Sequence, residues 1–361
     1  MSRARARDLG IAPGALPTGP LNAITDVPGV RVGQTTLIEG SDIRTGVTAI
    51  VPDLLTGTQT LSAGLETGNG FGKIVGTTQI GELGVIETPV LLTGTLNTFR
   101  VADALVSYML SRPGNEDLGT INPVVAETND GFLSDLRRRP VTEEHVFAAL
   151  RGATAGPVEE GAVGAGTGTS ALGFKAGIGT SSRVVDCGAP AGRVTIGVLV
   201  QTNFSGTLTV LGVPVPAGDG GQDAAAEDPA GQGNSCVIVL ATDAPLDSRQ
   251  LGRVAWRSIF GMARTGSDFS GKSGDYALAF STAVVAEPGP AGPGVSKTGL
   301  LPDSALDPLF VAAMDATEEA ILNSLFAAET TTGFLGHTRA AVPLDRVRQL
   351  CAARGVLQAG A

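Results

Sequence analysis

Apolar residues in this chain gather into short unbroken runs, separated by glycine, proline and small polar residues. Residues 30–38, 46–52, 87–93 and 121–126 have strand length and β-branched content. Residues 194–202 and 236–242 read as buried strands, 207–213 as a partner of the former, and 276–285 as another strand. Helical spacing marks 98–110, with Val101, Ala104, Leu105 and Tyr108 on one face and Pro113 beyond the end. It also marks 142–150, opened by Thr142 as N-cap with Glu143 and Glu144 in the first turn. A third helix, 247–264, is capped by Asp247 and carries Leu251, Val254, Ala255, Ile259 and Met262 at core spacing. Helices over 304–328 and 344–353 close the chain, while 161–179 and 288–299 read as glycine- or proline-rich loops. Strands and helices alternate without a clean βαβ repeat. That pattern predicts an α+β fold, with sheets sandwiched between helices, over a doubly wound parallel sheet.

One stretch breaks the pattern. From Pro214 to Gly233 there is almost nothing to pack, and then a strong strand begins at once in Gly231-Gln232-Gly233-Asn234-Ser235-Cys236. Each flanking part is short of strands on its own. Residues 214–233 therefore read as a processing linker inside a single domain spanning 1–361, not as a domain boundary.

Composition narrows the function. The 361 residues are 42% hydrophobic and 17% charged, enough for a sizeable core, and the 51 glycines predict turns and close backbone approaches. A net charge of −10 argues against a nucleic-acid surface, which needs clustered Lys and Arg. No apolar stretch approaches the roughly 18 residues of a membrane span, and no signal core follows the N-terminal arginines. Three scattered cysteines without a C-x-x-C read as reduced thiols in a cytoplasm. With only His145 and His337, a histidine-based metal site or a Ser-His-Asp triad is poorly supplied.

Two glycine motifs mimic nucleotide loops. Gly266 to Ser273 matches the phosphate-loop spacing, but a helix precedes it and a strand follows, the reverse of the order that aims amide N–H groups at phosphate. Gly166-Thr167-Gly168 lacks a strand before it. Turns explain both.

Ser235 offers different chemistry. A serine stands where loose chain meets buried strand. Cleavage of the Asn234–Ser235 bond would leave a hydroxyl nucleophile and an α-amine base on one rigidly held residue. Such an amine has a reference pKa of about 7.7–8.0. Other polar residues stand at strand ends: Glu127 in Glu127-Thr128-Asn129-Asp130-Gly131, Asn203 in Gln201-Thr202-Asn203, and Ser273 with Asp275. Ser273 and Asp275, at i and i+2, share one face on extended chain.

At these positions, and over nearly its whole length, the chain resembles the self-processing L-aminopeptidase D-esterase/amidases and β-peptidyl aminopeptidases. Residues 19–33, 163–168, Phe174-Lys175, 177–183, 200–204, 241–246 and 323–333 carry the likeness together with the segments above. The resemblance implies a four-layer αββα sandwich, similar to N-terminal-nucleophile hydrolases but differently connected. It implies autocleavage into 1–234 and 235–361. By that likeness Ser235 is the nucleophile, Asn203 the oxyanion donor, and Glu127 the carboxylate that holds the substrate amine. Ser273 and Asp275 would contact the amine of the processed serine. The expected substrate is a small peptide, amide or ester with a free amine. No metal or organic cofactor, nucleic acid or membrane is expected, and the assembly expected is a homo-oligomer of αβ units, a tetramer.

Phe132 stands where family members often carry a tyrosine whose hydroxyl assists the oxyanion. Asp275 stands where some carry the longer Glu. Two rivals accompany this reading: a same-fold acyltransferase resembling ornithine acetyltransferase, which processes at Thr rather than Ser, and an unprocessed binding or assembly protein.

Overall fold

The computed structural model describes residues 3–55, 59–188, 191–217, 235–289, 292–294 and 299–358. The first half of the chain holds β1 (Val30–Glu39), β2 (Ile43–Pro52), β3 (Thr60–Gly70), β4 (Ile74–Val75) and α1 (Thr77–Leu83). Then come β5 (Val85–Ile86), β6 (Val90–Gly94), α2 (Thr98–Leu110), β7 (Val124–Thr128) and α3 (Glu143–Arg151). Four further strands follow: β8 (Ser170–Ala171), β9 (Phe174–Lys175), β10 (Ile178–Asp186) and β11 (Arg193–Asn203). After the small hairpin of β12 (Thr209–Val210) and β13 (Val213–Pro214) come β14 (Ser235–Thr242), α4 (Ser248–Arg264) and β15 (Gly274–Gly289). Helices α5 (Asp307–Phe326) and α6 (Leu344–Ala353) close the described chain.

Two main sheets form. One runs β1-β2-β6-β7-β4, and the other runs β10-β11-β14-β15-β3-β5. Most neighbours are antiparallel, but β6–β7 and β14–β15 are parallel. Alternation along the strands explains why the sheets stack. In β14, Val237, Val239 and Ala241 join a core shared with Ile50, Leu92 and Ala126 of the other sheet. The alternate residues Cys236, Ile238 and Leu240 pack with Leu251, Val254 and Met262 of α4 and Ile321 of α5. Likewise Val47, Leu91 and Val125 turn outward onto Val101 and Leu105 of α2 and Val146 of α3. Both faces of each sheet are therefore buried, and the layers run helix, sheet, sheet, helix. Burying a Val, Leu or Ile side chain fully contributes about 1.5–3 kcal/mol, so three such interfaces supply the main driving force for the fold.

The helices follow the expected spacing. Thr142 occupies the N-cap of α3 in extended conformation, and its N–H donates to His145 Nδ1. Asp247 caps α4 by accepting from the Gln250 N–H at 2.8 Å. Three expectations need correction. Residues 207–213 do not pair with β11. Thr209–Val210 instead folds back on Val213–Pro214, because Leu211 and Gly212 take left-handed conformations that turn the chain. The loop expected over 161–179 contains the short strands β8 and β9 and the start of β10. Strand β3 and helix α1 were not anticipated, since Gly64, Gly68 and Gly70 interrupt the apolar pattern of β3. Of the predicted linker, residues 218–233 lie outside the described residues, as does Asn234.

Candidate active site at the head of β14

Ser235 is the first residue of β14 and is buried. Its antiparallel partner is Asn203, the last residue of β11, and its parallel partner is Gly274, the first of β15. Three strand ends thus meet at the serine. Alternation puts Ser235 on the face of Val237 and Val239, toward the other sheet.

The Asn203 amide is held from both ends. Its Oδ1 accepts from the Ser170 N–H at 3.0 Å, and its Nδ2 donates to the Asn129 carbonyl at 2.8 Å. A carbonyl can only accept and a backbone N–H can only donate, so these two bonds fix which end of the amide is which. The second Nδ2 hydrogen is left to point elsewhere.

On the opposite side of β14, Ser273 Oγ donates to Asp275 Oδ1 at 2.7 Å. The face-sharing expected from their i, i+2 spacing is therefore a direct contact. Asp275 is Cα partner to Cys236, and its Oδ2 accepts from Asn69 Nδ2 at 2.9 Å. Burial pushes the Asp275 carboxyl up. Hydrogen bonds from Asn69, Ser273 and the Cys236 backbone oppose that rise. The shorter aspartate thus reaches the backbone immediately after Ser235. Burial, followed by the Asp275 charge, also holds the Cys236 thiol well above its ordinary range, which keeps it an inert thiol.

Glu127 lies near the end of β7, beside Thr93 of β6, with its side chain only 2% exposed. The β3–β4 connection joins it to Ser273. Phe71 N–H donates to the Ser273 carbonyl at 3.0 Å, and two residues later the Lys73 N–H donates to Glu127 Oε1 at 3.0 Å. Close approach makes this possible, because a Cβ on Gly274 would come within 2.8 Å of the Gly72 Cα. The Lys73 ammonium also reaches Glu127 Oε1 at 3.2 Å and Thr95 Oγ1 at 2.9 Å. Glu127 Oε2 is buried with no hydrogen-bond partner among the described residues.

Phe132 is placed on the turn after Glu127, its ring stacked on His337 at 4.4 Å and carrying the Arg339 guanidinium at 3.9 Å. The Phe132 carbonyl lies 2.9 Å from His337 Nδ1, which requires the proton on that nitrogen. Phe132 has no hydroxyl, and its ring contacts are with His337 and Arg339.

The structure thus brings Ser235, Asn203, Ser273 and Asp275 together on adjoining strand ends and ties Glu127 to them through residues 71–73. Asn69, Lys73 and Asn129 were missed by sequence reasoning. Asn69 and Lys73 sit on the unanticipated strand β3 and its turn, and Asn129 contributes a carbonyl, which no side-chain motif reveals. A buried pair behind the turn was also unassigned. Burial, with Glu127 adding to it, pushes the Asp130 carboxyl up to about 7 against the opposing Lys175 charge. Burial also lowers Lys175 to about 7, and its ammonium donates to the Gly166 and Ala176 carbonyls. The phosphate-loop mimic lies between α4 and β15, in the inverted order that rules against phosphate binding.

Comparison with known proteins places the chain in a family. The sequence profile of peptidase family S58 matches residues 22–339. The chain is 41% identical to beta-peptidyl aminopeptidase BapA of Sphingosinicella microcystinivorans, covering 97% of this chain and 94% of that protein. Among solved structures, the L-aminopeptidase D-Ala-esterase/amidase of Ochrobactrum anthropi, described as a new variant of the Ntn hydrolase fold, superposes with a TM-score of 0.88 at 40% identity. That match covers 98% of this chain and 99% of the other. The PH0078 protein of Pyrococcus horikoshii OT3 superposes with the same TM-score at 42% identity and the same coverage.

The helix–sheet–sheet–helix sandwich is thus similar to the Ntn hydrolase fold variant described for the Ochrobactrum anthropi enzyme. The chain belongs to peptidase family S58, and it is an aminopeptidase. No helix among the described residues is long and apolar enough to cross a membrane.

Proposed function

We propose that this aminopeptidase processes itself at Asn234–Ser235 and then uses Ser235 to release N-terminal residues from short peptides, amides or esters. In processing, Ser235 Oγ attacks the Asn234 carbonyl carbon and the Ser235 nitrogen takes up a proton as the C–N bond breaks. That step already frees the Ser235 amine, and water then hydrolyses the ester to an Asn234 carboxylate and a free Ser235 hydroxyl. That amine then accepts the Oγ proton as Ser235 attacks the substrate carbonyl. The proton passes to the leaving amine, and water hydrolyses the acyl-enzyme.

The observation that carries the reading is the register at the head of β14, with Asn203 opposite Ser235 and Gly274 beside it. Asn203 is aimed as the oxyanion donor, an interaction worth about 2.7–4 kcal/mol when preorganised. Ser273 and Asp275 orient the processed amine and stabilise its protonated form. Glu127 holds the substrate ammonium through a charge-assisted bond. Phe132 shapes the wall near this anchor. The relative named a beta-peptidyl aminopeptidase supports including residues whose amine lies on the β-carbon among the substrates.

We further propose a cytoplasmic homo-oligomer of αβ units, a tetramer, formed from one domain cut into 1–234 and 235–361. Three free thiols among the described residues fit a reducing compartment. Turnover of amino-acyl p-nitroanilides tests the reaction. The wild type should cleave those with a free amine and spare their N-acetyl forms, and Ser235→Ala should cleave neither. Cleavage by Ser235→Ala at the wild-type rate overturns the assignment.

A further inference from the structure

The carboxylate proposed to receive a substrate ammonium is already paired with a cation. Lys73 donates twice to Glu127 Oε1, once from its backbone and once from its ammonium, while Glu127 Oε2 is buried and unpartnered among the described residues. The Lys73 side chain is 38% exposed, and after its bonds to Glu127 and Thr95 it keeps a third N–H. The anchor is therefore an anion and a cation side by side, open to solvent on the cationic side.

This arrangement disfavours a bare ammonium. A positive group on Glu127 Oε2 stands beside the Lys73 ammonium, and like charges that close repel. A substrate end carrying its own carboxylate next to the amine removes the repulsion and adds a charge-assisted bond to Lys73. We infer that Lys73 is a specificity-determining residue that selects an N-terminal residue with ammonium and carboxylate on one carbon, as in an isoaspartyl peptide. There the aspartyl residue is linked through its side-chain carboxyl, so its free amine lies β to the scissile carbonyl. Its ammonium takes Glu127 Oε2 and its carboxylate takes Lys73. Ser235 attacks the linking carbonyl, the peptide amine leaves with a proton, and water releases aspartate. The inference rests on the proposed role of Glu127 and deepens it.

Two p-nitroanilides isolate the effect. β-Aspartyl and 3-aminobutyryl p-nitroanilide have the amine on the same carbon and differ by a carboxylate in place of a methyl. The processed wild type should favour the β-aspartyl compound at least tenfold in kcat/KM, and should also favour it over α-aspartyl p-nitroanilide. Lys73→Met should invert the first ratio, mainly through a higher KM for the β-aspartyl compound, and Lys73→Arg should restore the preference. A wild-type ratio near one, a preference for the α-aspartyl compound, or a ratio unchanged in Lys73→Met overturns the inference. Equal cleavage of the N-acetyl forms would instead overturn the underlying role of Glu127.

Discussion

Asn203 and Ser235 face each other as Cα partners in the antiparallel pairing of β11 with β14. The two residues are far apart in sequence, yet backbone hydrogen bonding between strands sets their spacing. In the function proposed above, an amide fixed in this way before any substrate arrives is what preorganised oxyanion stabilisation requires. The same amide is braced by Ser170 and Asn129, so its orientation does not depend on substrate.

Replacing Asn203 by Ala should lower kcat by about 10²–10³ with a smaller change in KM. It should also slow self-cleavage, since both reactions pass through an oxyanion at one place. The variant strands the buried Ser170 N–H, at a cost of about 1–3 kcal/mol measurable by denaturant unfolding. Wild-type kcat in a folded Asn203→Ala protein would remove the residue from the oxyanion site.

Glu127→Ala should weaken turnover of free-amine substrates, chiefly by raising KM, while two fragments still appear on a denaturing gel. Processing needs no ammonium anchor, because the carbonyl attacked belongs to the chain itself. An intact chain in this variant would show that Glu127 supports the structure around Lys73 and Thr95 instead.

Asp275→Asn should reduce kcat by about 10² or more, the scale of a lost acid–base contribution. Its stability effect has a definite sign with pH. Burial raises the folded-state pKa of this carboxyl, so the charged form is disfavoured in the fold. Its contribution is most favourable below the ordinary aspartate pKa and declines as pH rises through the raised value. The melting temperature of the wild type relative to Asp275→Asn should therefore fall as pH rises across that window. A difference that grows with pH would mean the hydrogen bonds from Asn69, Ser273 and Cys236 outweigh burial.

The sheets and helices could be read in advance wherever apolar residues ran in strand or helix rhythm. Helix α2 and helix α6 occupy the predicted residues, and the β14 strand starts one residue before the predicted run, at Ser235 itself. Strand β3 was illegible because its hydrogen bonds to β15 hold it in the sheet despite three glycines. The polar residues at strand ends were visible as types at positions, and likeness to a family gave them roles. What one sequence does not display is pairing across the sheet. Nothing local to Lys73 announces Glu127, 54 positions away, and nothing near Asn129 marks its carbonyl as a brace for Asn203.

Intact mass of the purified wild type beside Ser235→Ala tests the central claim most directly. Two polypeptides are expected from the wild type, one ending at Asn234 and one beginning with an unmodified Ser235, and one full-length chain from the variant. Two fragments from both proteins, or a single full-length mass from a catalytically active wild type, would contradict the account.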